Sequence, residues 1–191
     1  MSFQQFVRPA RIAVLTASMA VAGLAAPFTM HTSAAPSMPG CPSTEEIVGG
    51  FSKGLGYLVE DGSLSKADAR DARSQFAAWA NDEKGLGCAV RDGMMKNGAE
   101  MMAFLGMTPQ EMKDAYKGGQ SLVEMAAANG HSEAELVGFL EGLVDEGLDA
   151  FVAAGAFDGV VRDAIDAKAE EHITWGVDYQ KGDAVPDHHA D

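Results

Sequence analysis

Apolar residues recur at helical spacing along most of this chain, and no segment alternates with period two over the length of a strand. Ile47, Val48, Phe51, Leu55, Leu58 and Val59 fall on one stripe of a helix that starts at Ser43. Asp61-Gly62 turns the chain, and Ser65 caps a second helix with Ala69, Ala72, Phe76, Trp79 and Ala80 on its apolar face. Gly85-Leu86-Gly87 breaks that helix. A third, about Cys88 to Leu105, carries Val90, Met94, Met101, Phe104 and Leu105 and is weakened by Gly93 and Gly98. Two short helices follow, near Pro109–Lys117 and Leu122–Asn129. The longest and most regular stripe, Leu136, Val137, Leu140, Leu143, Val144, Leu148, Phe151 and Val152, predicts a core helix over Glu133–Ala153. Ala154-Gly155 turns it into a last helix, about Asp158 to Val177. The pattern predicts an all-α fold, a helical bundle of about five longer and two short helices.

The punctuation is clearest from Gly106 to Leu143. Thr108 with Glu111, Ser121 with Glu124 and Ser132 with Glu135 have capping-box spacing, as Ser43 with Glu46 does farther back. In each, the hydroxyl accepts from an orphan amide while the carboxylate reaches back to the cap's own amide. Pro109 falls where its missing donor costs nothing, and Gly118-Gly119 and Asn129-Gly130 stop the two short helices. On either side lies a similar hairpin. Gly54-Leu55-x-x-Leu58-Val59-x-x-Gly62-x-Leu64 matches Gly147-Leu148-x-x-Phe151-Val152-x-x-Gly155-x-Phe157 at a constant offset. Arg70-Asp71-Ala72 recurs as Arg162-Asp163-Ala164 one residue out of step, and the hairpins end near Trp79 and Trp175. Two similar helical hairpins flanking a central helical corner are expected, with Phe51, Leu55 and Phe76 in one core and Leu148, Phe151 and Ile165 in another.

The run Leu105-Gly106-x-Thr108-Pro109-x-Glu111-Met112, then Gly119-Gln120-Ser121-Leu122-x-Glu124-Met125-Ala126 and Asn129-Gly130, resembles a motif of uncharacterised exported bacterial all-helical proteins. There too a long helix, a Gly turn and a closing helix follow. The resemblance implies export and an all-α fold, and carries over no catalytic residue. His131 stands where those proteins have an aliphatic residue.

The first 34 residues read as a signal peptide: Arg8 and Arg11, the apolar run Ile12 to Ala26, then small residues at Thr32-Ser33-Ala34. The run is short for crossing roughly 30 Å of hydrocarbon as a retained anchor. Residues 35–42 form a turn-rich linker, 43–177 the helical domain, and 178–191 a disordered acidic and His-containing tail. Without the signal the chain holds 12 basic and 28 acidic residues, a formal charge of 12 − 28 = −16. Such a charge opposes nucleic acid and anionic lipid, and makes a basic protein or surface partner the compatible one. The even pair Cys41 and Cys88 predicts a disulfide in a secreted, extracytoplasmic chain. Acylation of Cys41 is disfavoured, because Met38-Pro39-Gly40 is a poor match for a lipoprotein signal.

Candidate chemistry is sparse. The Ser121–Ser132 stretch has helix-turn-helix spacing, but the helix after it begins Glu133-Ala134-Glu135 and has no basic residue before Asp145, so it would repel the phosphates a DNA reader must neutralise. No G-x-S-x-G, H-E-x-x-H, C-x-x-C or phosphate-cradling loop occurs, and no catalytic residue or cofactor is assigned. His31, His188 and His189 lie in the terminal segments, His131 at a turn, and His172 near an apolar stripe. Methionine is the compositional oddity: eleven in all, seven of them from Met94 to Met125. Met fills irregular core gaps, which predicts Met94, Met101 and Met112 buried and Met95 or Met102 more exposed. The alternative is a soft-metal Cu(I) site drawn from Met95, Met102, Met107 and His131.

Overall fold

The computed structural model describes residues 40–178, and of Trp175 the backbone only. The signal peptide, most of the linker and the tail expected from the sequence lie outside the described residues. Seven helices run in order: α1 Thr44–Glu60, α2 Lys66–Asp82, α3 Leu86–Leu105, α4 Pro109–Lys117, α5 Leu122–Ala128, α6 Glu133–Ala153 and α7 Gly159–Asp178. No strand occurs among the described residues.

All four expected capping boxes form. Ser43, Thr108, Ser121 and Ser132 each accept from the amide of the Glu three residues on, and that Glu accepts from the cap's own amide at 2.7–2.9 Å. At Ser65 the third residue is Asp68, one methylene shorter. Its carboxylate accepts from the Ser65 hydroxyl at 2.6 Å, and no reciprocal bond to the cap amide forms.

α3 begins at Leu86, two residues before the expected Cys88. Only Gly85 breaks the chain, with φ 79°, while Leu86 is 1% exposed and Gly87 lies buried inside the helix. Gly87 is there for contact. A Cβ on it would overlap the Pro42 carbonyl, because the linker lies directly on the first turn of α3. Next to that contact, Cys41 and Cys88 form the disulfide, their Cα atoms 4.5 Å apart.

α1 packs on α2 and α6 on α7, giving the two hairpins. In sequence they flank the corner; in space they pack on each other through α2 and α7, and α5 lies against α6 and α7. Their buried positions repeat at an offset of 93 residues (148 − 55 = 93): Leu55 with Leu148, Leu58 with Phe151, Leu64 with Phe157, Ala72 with Ile165, Phe76 with Ala169, Ala80 with Ile173. Each Gly turn is left-handed, Gly62 at φ 82° and Gly155 at φ 74°.

Two separate cores were the expectation, and the structure corrects it to one. Phe51 of α1 stacks on Phe76 of α2 at 4.0 Å and on Phe157, at the α6–α7 turn, at 5.6 Å. Phe151 of α6 lies 6.1 Å from Phe76 and 5.5 Å from Trp79. The aromatic rings are long enough to reach across the hairpin boundary, so they fuse the two layers. Polar contacts cross the same boundary reciprocally. Gln75 of α2 donates to the Gly155 carbonyl at 3.1 Å. Lys168 of α7, at Gln75's place in the repeat, meets Asp61 of the first turn at 3.1 Å.

Candidate functional site

The central corner is built from short, well-stopped helices. α5 ends where Asn129 donates its side-chain amide to the Met125 carbonyl at 2.9 Å, and Gly130 at φ 88° redirects the chain into α6. Met125, Ala126 and Leu136 are almost fully buried, and Ser121 is 3% exposed, so the corner is anchored through α5 and the start of α6. His131 is half-buried with its ring stacked on Phe104 at 4.2 Å, and Phe139 stacks on Phe104 at 4.5 Å.

α6 carries Glu133, Glu135, Glu141, Asp145, Glu146 and Asp149 and no basic residue of its own. Part of that charge is answered from α7. Arg162 pairs with Asp145, with Asp149 at 3.1 Å and with Asp166 at 2.8 Å, its side chain 22% exposed. Burial alone would lower the guanidinium's pKa, but Asp149, Asp166 and Asp145 hold it above its ordinary value. At the first turn, burial pushes the Asp61 carboxyl up, yet Ser63 and Lys168 outweigh it and hold it below its usual value. Lys168 is raised, first by Glu171 and then by Asp61, against burial. Both clusters tie helices together. Sequence reading missed both, although the four-residue spacings Asp145–Asp149 and Arg162–Asp166 are visible in it. What it lacks is the register of α6 against α7.

The methionines spread along α3 and the corner rather than filling one core gap. Met94 is 45% exposed and Met95 52%, which corrects the expectation that Met94 is buried. The large buried side chains of α3 are Leu86 and Val90 toward one end and Leu105 at the other, and between them only Gly93, which has no side chain, is buried. Position 94 shares the stripe but falls between them. Met101, Met107 and Met112 are half-buried against the core, short of the burial expected of Met101 and Met112; Met102 is half-buried too, and Met125 is 1% exposed. Of the candidate Cu(I) ligands, Met95 and Met102 are two turns apart on α3, about 10 Å along the axis. Met107 follows the end of the helix, and one face of His131 rests on Phe104. Among the described residues no three His, Cys, Asp or Glu side chains gather as metal ligands would, and no helix is long and apolar enough to cross a membrane.

Compared with known proteins, the chain matches no family model, no curated protein and no solved structure.

Proposed function

We propose that this chain is an exported, non-enzymatic helical module that docks a basic protein or surface through its acidic exterior. The observation that carries the reading is the division of labour among its charges. The clusters around Arg162 and Lys168 act as struts between helices, while Glu133, Glu135 and Glu146 of α6 remain exposed. Export is supported by the basic and apolar start of the sequence and by the Cys41–Cys88 bond, which belongs in an oxidising compartment. Nucleic acid is a poor partner for a helix with six acids and no base.

Expression of the full chain in a bacterium, fractionation and N-terminal sequencing test the export half. A mature start at Ala35 outside the cytoplasm supports it, and an intact N-terminus on protein kept in the cytoplasm overturns it. For the docking half, residues 35–191 are titrated against polylysine, against polyglutamate and against duplex DNA. Salt-sensitive binding to polylysine alone is the expected outcome, and equal or stronger binding to DNA overturns it.

Cu(I) handling through Met95, Met102, Met107 and His131 is the second reading, favoured by the exposure of Met95. Stoichiometric Cu(I) binding that is lost in a Met95→Leu, Met102→Leu variant is its test.

A further inference from the structure

We propose that Met94 and Met95 form a peroxide-reactive modification site, oxidised to sulfoxide ahead of the other described methionines and without cost to the fold. The proposal stands apart from the docking reading and rests on the middle of α3. Met94, Met95, Lys96, Gly98 and Ala99 are all exposed there, while Val90 and Leu105 on either side are fully buried. Large apolar side chains on a solvated stretch contribute little packing. Gly98 leaves the next turn bare, since a Cβ built on it would meet nothing within 4 Å. Helical side chains lean toward the N-terminus, so a larger residue at 98 would lie over the turn that carries the pair. The thioethers are therefore open to a small oxidant.

The step is a two-electron oxidation. A sulfur lone pair attacks the nearer oxygen of hydrogen peroxide, the O–O bond breaks, and the departing hydroxide takes up a proton as water. Sulfur gains one oxygen as the sulfoxide, and the peroxide is reduced. On this face the new S=O group is solvated. At Met125, 1% exposed, the same group would have to be buried without its water. The site thus consumes peroxide where the product is harmless, and a thiol-dependent reductase can restore the thioether.

The sequence makes the test clean. Trypsin cuts after Arg91, Lys96 and Lys113, so Asp92–Lys96 carries only the pair, Asn97–Lys113 carries Met101, Met102, Met107 and Met112, and Met125 falls in a third peptide. The full protein is exposed to dilute hydrogen peroxide over a time course, digested and read by mass spectrometry, with thermal melts on the same samples. Sulfoxide is expected severalfold faster in Asp92–Lys96 than in Asn97–Lys113, slowest at Met125, and with an unchanged Tm once the pair is oxidised. Equal or faster oxidation of Asn97–Lys113 overturns the site. So does a fall in Tm at the stage where Asp92–Lys96 alone is oxidised.

Discussion

At Gly87 one methyl group would have to occupy the space of the Pro42 carbonyl. Gly87→Ala sets two effects against each other. The first turn of the helix gains at most about 0.5–1 kcal/mol from losing a glycine, while the overlap costs about 1–3 kcal/mol as overpacking does. The outcome depends on whether the linker can lift away. With the disulfide intact Cys41 is tied to Cys88, which holds the neighbouring Pro42 against Gly87, and the variant is expected to melt below the parent. After reduction the linker is free to move, and the penalty should shrink or reverse. Paired melts with and without reductant check this, and equal penalties in both states would contradict it. Nothing in the Gly85-Leu86-Gly87 run says that the first glycine stops a helix and the second admits a neighbour. That difference lies in a backbone contact with residue 42, which no local pattern encodes.

Helix starts and stops were legible in the sequence because they are local: a hydroxyl, a carboxylate three residues on, a glycine after the last turn. The faces those helices bury were legible only in part. Leu140 shares the α6 stripe but is half-buried, whereas Leu148 is fully buried. Leu148→Ala is therefore expected to cost about 2–5 kcal/mol and Leu140→Ala clearly less, measured by denaturant unfolding. The capping boxes carry a pH dependence. The Ser43 amide and hydroxyl hold Glu46 below its ordinary 4.5; the Thr108 hydroxyl and amide do so for Glu111, and the Ser132 amide and hydroxyl for Glu135. A folded pKa below the unfolded one gives stability that is full above about 4.5 and is lost as pH falls through the folded value. Glu→Gln at all three sites keeps a side chain able to cap but removes the titration. The triple variant should show a shallower loss of Tm below pH 4.5.

Across the whole molecule, the aromatic cluster makes the two hairpins one cooperative unit. Leu55→Ala in the first and Leu148→Ala in the second should each lower a single transition, seen alike by circular dichroism and by tryptophan fluorescence. Two separable transitions would restore the two-core picture that the repeat suggests. Reduction of the Cys41–Cys88 bond, which spans 47 residues of sequence, is expected to cost about 4 kcal/mol if loop entropy is the main term. The shared core was hidden from sequence reading because each hairpin has a complete apolar stripe of its own. The reach of Phe51 to Phe157, and of Phe151 to Phe76 and Trp79, shows that the stripes face each other.

The reciprocal contacts at the hairpin boundary have a consequence for symmetry. A surface on which position 75 of one unit touches the turn of the other, and position 168 touches back, has the form of an isologous interface, the kind that joins identical subunits in a two-fold dimer. In a true homodimer both halves of such a contact must use the same residues. Here both halves belong to one polypeptide, so each could take its own chemistry. One is a neutral amide on a carbonyl and the other an ammonium on a carboxylate. An assembly of identical chains cannot differ from itself in that way, and a single chain can.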